Sequence, residues 1–212
     1  MKWEAFLERF GDCPLIEPAM VYAGETNPRA LQAQLSRWVK GKRLIKLTRS
    51  KYILARPYRK VDPPLEYVAN RLVYPSYVSF ERALAWYGLI PEAVAVITSV
   101  TTGRPRVVET ALGTFQYRHI HRRHFWGYEA IDHQGQACVL AVPEKAILDL
   151  FYFQRGAATR ARVQEMRLQN LDRLDPNRLR TLADRMGGHK LAECAKQLLD
   201  YRDAFLREYD ST

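Results

Sequence analysis

Between Asn27 and Gly41 the chain carries a full set of helix signals, and directly afterwards its hydrophobic period changes. Asn27 is an N-cap residue, Pro28 follows at the first helical position, where a missing N–H is no loss, and Gly41 supplies the stop. On a wheel of about 100° per residue, Leu35, Trp38 and Val39 fall on the side of Leu31, whereas Arg29, Ala33, Ser36, Arg37 and Lys40 gather on the other. Beyond Gly41, two β-rich runs at 43–48 and 51–55 flank Arg49-Ser50 and predict a hairpin with a basic tip. Upstream, Trp3, Phe6, Leu7 and Phe10 recur at helical spacing before Gly11, and a second short helix is expected over 17–22. Three helices and then a two-stranded hairpin is the order of a winged helix-turn-helix, which lays its third helix in the major groove and its hairpin along phosphates.

The positive charge sits on the same elements. The chain has 33 Lys and Arg against 23 Asp and Glu in 212 residues, a net charge of +10, and the stretch 26–61 contains eleven bases and no acid. Charge runs commonly do no more than solvate a surface. Here the bases coincide with the outer helix face and the hairpin tip, which is the footprint of a nucleic-acid reader. Arg29, Gln32, Ser36 and Arg37 are the expected base contacts, since Arg and Gln bond bidentately to base edges. Lys40, Lys42, Arg43, Lys46, Arg49 and Lys51 are the expected phosphate contacts, and the expected partner is double-stranded DNA.

Three prolines within 57–64 mark a stiff linker, which separates residues 1–56 from a larger domain over 65–212. With 47% hydrophobic residues the chain folds around a core, and the fold class expected is α+β. The second domain reads as a helix over 66–72 and another over 80–87 capped by Ser79. Strands follow at 94–100, 106–110, 114–119, 125–131 and 137–142 in a mainly antiparallel sheet. A helix begins at Pro143, and C-terminal helices are expected near 159–170, 176–186 and 189–208. Trp86, Tyr87, Phe151, Tyr152 and Phe153 read as core aromatics.

Chemistry is sparse by comparison. Cys13, Cys138 and Cys194 are far apart, odd in number and without CxxC spacing. His119, His121 and His124 have metal-like spacing, but Arg122 and Arg123 between them oppose a cation, so no metal and no cofactor is expected. Arg118, His121, Arg122 and Arg123 read instead as a second nucleic-acid patch. Asp132 followed by Glu144-Lys145 lacks the spacing by which alternate strand residues present an acid and a lysine to one metal, and an enzyme is not expected. No run approaches the roughly 18 apolar residues of a membrane span, so a cytoplasmic protein without a membrane partner is expected.

Several phrases, in order, resemble the AbiEi-type antitoxins. They are Leu35-Ser36-Arg37-Trp38-Val39-Lys40-Gly41-Lys42, Ala69-Asn70-Arg71-Leu72 with Pro75-Ser76-Tyr77-Val78-Ser79, Tyr87-Gly88-Leu89-Ile90-Pro91-Glu92-Ala93 and Ile97-Thr98-Ser99-Val100-Thr101-Thr102. Leu112-Gly113-Thr114-Phe115, Tyr117-Arg118-His119-Ile120, Gly127-Tyr128-Glu129, Pro143-Glu144-Lys145-Ala146 and Leu148-Asp149-Leu150 continue the series, which covers about residues 3–153. The resemblance implies a winged helix-turn-helix that represses its own operon at an inverted-repeat operator, joined to an antitoxin domain. It also implies a nucleotidyltransferase-like toxin encoded alongside, in systems linked to phage defence. Such antitoxins are described as acting without a stable complex with the toxin. Two other readings stay open: a C-terminal domain that binds the toxin or its RNA substrate directly, and a plain transcriptional regulator without a toxin.

Overall fold

A computed structural model of the protein describes residues 1–23, 27–91 and 94–209. Thr26, where the acid-free run begins, and Glu92 and Ala93 of the phrase over 87–93 lie outside them. The fold is mixed α+β. The N-terminal part consists of α1 (Trp3–Phe10), α2 (Pro18–Tyr22) and α3 (Pro28–Lys40), followed by a hairpin of β1 (Leu44–Thr48) and β2 (Lys51–Leu54). Its core is aromatic: Trp3, Phe6 and Phe10 of α1 meet Leu31, Leu35 and Trp38 of α3 above Leu44, Tyr52 and Leu54 of the hairpin. Phe6 and Trp38 pack with ring centroids 4.6 Å apart, and Trp3 lies edge-on to Trp38 at 5.1 Å. One feature beyond the sequence reading is a β-bridge between Ile16 and Tyr52, with paired N–H···O bonds of 2.8 and 2.9 Å, that ties the α1–α2 loop to the hairpin.

The body is built on a six-stranded mixed sheet. Its strands are β3 (Ser76–Val78), β4 (Ile97–Thr101), β5 (Arg106–Thr110), β6 (Gly113–His119), β7 (Tyr128–His133) and β8 (Gln136–Ala141), in the order β5-β6-β4-β3-β8-β7. The pairs β3–β4, β5–β6 and β7–β8 are antiparallel, while β3–β8 and β4–β6 are parallel. Alternate residues go to opposite faces. Val78, Ile97, Phe115, Tyr117 and Leu140 pack under α4 (Leu65–Leu72), while Tyr77, Val100 and Ala141 pack under α5 (Phe80–Trp86) and α6 (Pro143–Phe153). Outside these lie α7 (Arg160–Glu165), α8 (Pro176–Met186) and the long α9 (His189–Tyr209).

Three expectations need correction. The three-residue β3, between the helices expected over 66–72 and 80–87, is an additional strand too short to show any alternation. Strand β3 pairs with β8 only at Val78–Leu140, and the buried Asn70 side chain bridges the two: its amide donates to Ser76 O and Val139 O, and its carbonyl accepts from Val139 N at 2.7 Å. Ser79 does not cap α5 with its side chain; its hydroxyl donates to Asp149 at 2.8 Å. Trp86 and Tyr152 are 37% and 38% exposed, because helical spacing places them at the rim of the core rather than inside it.

The segment 57–64 is not a free tether. Tyr58 N and Arg59 N bond back to Ala55 O, Tyr58 packs edge-on against Trp3 at 5.1 Å, and Pro63 and Pro64 are buried. The two parts also share apolar contacts: Leu15, Leu47 and Ile53 belong to the same cluster as Val68, Ile97 and Phe115 of the body.

Candidate nucleic-acid interface

Asn27 begins α3 as anticipated, its Oδ1 accepting from Ala30 N at 3.1 Å. Because Leu31, Leu35 and Trp38 are spent on the core, the opposite face is left to Arg29, Gln32, Ala33, Ser36, Arg37 and Lys40, all exposed. Burying one stripe of the helix thus dictates which residues a ligand can meet. Two of these side chains are partly engaged. Tyr22 OH donates to the Gln32 carbonyl, which leaves the Gln32 amide N–H groups turned outward, and Ser36 Oγ donates to Gln32 O at 3.0 Å. Neither Arg29 nor Arg37 has a carboxylate within salt-bridge distance among the described residues.

The hairpin carries the remaining bases. Lys40, Lys42, Arg43, Lys46 and Arg49 are exposed, and the Arg43 guanidinium lies 5.2 Å from the Trp3 ring centroid, which holds it against the unit. Lys51 departs from expectation: its ammonium pairs with Glu17 at 2.8 Å and its side chain is largely covered. Glu17 lies outside the acid-free run, so the sequence pattern gave no warning that an acid from α2's N-cap would claim this lysine.

The second patch is assembled differently from the way the spacing suggested. His119 Nδ1 turns to Gly103 O at 2.9 Å, His121 opens a one-turn 3₁₀ helix over Arg122–His124, and His124 is buried. Among the described residues no group of three His, Cys, Asp or Glu is placed to hold a metal. Arg118, Arg122 and Arg123 are joined by residues the sequence could not have brought to them. Arg118 stacks over Phe80 and Phe153 at 5.4 and 5.5 Å; Arg123 Nε donates to His124 Nε2 at 2.9 Å. Trp126 Nε1 donates to Arg123 O at 2.7 Å, and Arg185 of α8 lies 4.3 Å from the Trp126 ring. Burial, together with the charges of Arg123, Lys145 and His121, pushes the His124 pKa below its usual value.

The acids and lysine weighed as nuclease residues are spent on structure. Asp132 Oδ1 accepts from Gly135 N in the β7–β8 turn. Glu144 is fully buried, paired with Arg178 at 2.7 Å and accepting from Asp175 N at 2.8 Å. Lys145 and Asp149 are fully buried and bonded to each other one turn apart on α6. The Lys145 ammonium also donates to Tyr77 Oη at 2.9 Å, and Tyr77 Oη and Ser79 Oγ donate to Asp149 Oδ2 at 3.0 and 2.8 Å. This network fastens α6 to β3. No helix is long and apolar enough to cross a membrane among the described residues.

No family model matches the chain, and no curated protein matches it.

Proposed function

We propose that the three helices and hairpin form a winged helix-turn-helix that reads duplex DNA, and that the protein is a cytoplasmic autorepressor and antitoxin of the AbiEi type, opposing a nucleotidyltransferase-like toxin. One observation carries the DNA half: α3 commits its apolar stripe to the core and turns out Arg29, Arg37 and Lys40, with no acid on that face. Arg29 and Arg37 read base edges, Gln32 adds its outward amide, and Lys40, Lys42, Arg43, Lys46 and Arg49 lie along phosphates. Support for the antitoxin half is the ordered series of phrases between residues 3 and 153.

Mobility shift on the upstream region of the protein's own operon tests the repressor. The full chain should prefer an inverted repeat there to random duplex. Arg29→Ala and Arg37→Ala should each weaken operator binding by about 1–3 kcal/mol and relax sequence preference. Equal loss on every sequence would reduce both residues to phosphate contacts. Co-expression with the product of the adjacent reading frame tests the antitoxin: rescue of growth without co-purification is expected, and co-purification would favour direct capture of the toxin. Rescue failing while operator binding persists would leave a plain regulator.

A further inference from the structure

A seam of guanidinium groups and rings crosses the body, and we propose that it binds single-stranded nucleic acid. The seam is continuous, each link a direct contact. From Arg118 it passes to Phe153 at 5.5 Å, to Tyr152 at 5.1 Å, to His124 at 5.5 Å and to Arg123 at 2.9 Å. Arg123 O then holds the Trp126 indole N–H at 2.7 Å, and Arg185 lies over that indole at 4.3 Å. Arg122 is exposed beside it on the 3₁₀ turn. Three separate parts of the chain supply these groups: the end of β6 with the turn that follows it, the end of α6, and α8.

Two properties separate the seam from an ordinary solvated surface. Several partly buried arginines elsewhere are neutralised: Arg82 by Glu66, Arg178 by Glu144 and Arg59 by Asp62. Arg118, Arg122, Arg123 and Arg185 have no such partner among the described residues, so four positive charges are gathered without an anion. Such a cluster repels itself and is relieved by phosphates. The second property is the presence of rings. Arg185 is held against an indole and offers its outer face for stacking, and Tyr152 is 38% exposed. Stacking surfaces interleaved with guanidinium groups suit unpaired bases on a phosphodiester strand, whereas a duplex keeps its bases stacked on one another. His124 serves as a prop: its Nε2 accepts from Arg123, and its buried Nδ1 has no partner.

The seam shares no residue with the exposed face of α3, so it stands or falls separately from operator reading. The test is fluorescence anisotropy of the full-length protein with labelled oligouridylate and oligothymidylate of about twelve nucleotides, and with a random duplex of the same length. Binding of at least one of the strands at low salt is expected, with the duplex arm reporting on the N-terminal unit. Arg185→Ala and Tyr152→Ala should each weaken strand binding by roughly five- to tenfold, within the range for losing one stacked contact. Arg122→Glu, a change at an exposed side chain that leaves the fold intact, should weaken it comparably and flatten its salt dependence. All three should leave operator binding unchanged, while Arg37→Ala should do the reverse. Absence of strand binding at low salt, or strand affinity unmoved by all three substitutions, would overturn the proposal.

Discussion

Lys145 and Asp149 show how a residue pair can be indispensable without touching a ligand. Burial pushes the lysine's pKa down and the aspartate's up, and each charge survives inside only because the other, with Tyr77 and Ser79, stands in for water. Lys145→Met should therefore cost about 3–5 kcal/mol in urea unfolding, since it strands a buried carboxylate. Adding Asp149→Asn should recover part of that loss, because the amide oxygen still accepts from Ser79 Oγ and Tyr77 Oη. His124 makes a pH prediction of definite sign. Its pKa lies below the ordinary 6.5 in the folded protein, chiefly through burial and then through Arg123, Lys145 and His121. The unfolded chain consequently takes up the proton first as pH falls below 6.5, and the stability contributed by the neutral ring is full above that value and is lost beneath it. The urea midpoint of the wild type should drop more between about pH 7.5 and pH 5.5 than that of His124→Gln.

At the scale of elements, α3 depends on its start. Asn27→Ala removes the acceptor for Ala30 N and should cost about 1 kcal/mol by thermal unfolding, with operator affinity falling only as far as the helix frays. On the hairpin, Lys46→Ala and Arg49→Ala should each lower the salt dependence of DNA binding by about one unit, whereas Lys51→Ala should not, because Lys51 is already paired with Glu17. These elements were legible because their signals are local: a cap, a proline, a glycine stop and a stripe at the helical period all lie within α3 itself. The exposed positions of Arg29, Gln32, Ser36 and Arg37 follow from that stripe alone. β3 was not legible, since three residues cannot show a period and its place between β4 and β8 is secured by Asn70 from another element. The same reason hid part of the second patch. Arg122 and Arg123 announce themselves, but the seat of Arg185 over Trp126 is a tertiary fact with no local signature.

For the whole molecule, the apolar cluster that holds Leu15, Leu47 and Ile53 with Val68, Ile97 and Phe115 makes the N-terminal unit and the body one cooperative structure. Trp3 and Trp38 report on the first and Trp86 and Trp126 on the second. Variants retaining one pair or the other should give coincident urea midpoints, where a unit on a loose tether would give two. Leu47→Ala should lower both together, by about 2–5 kcal/mol, since it opens a cavity at the shared contact. The Lys145–Asp149 network bears on tolerance to change as well as on stability. Tyr77, Ser79, Lys145 and Asp149 are all buried, out of reach of anything that binds the surface. The network acts as a keystone: the arginines on the outside can be exchanged without loosening what locks α6 to the sheet.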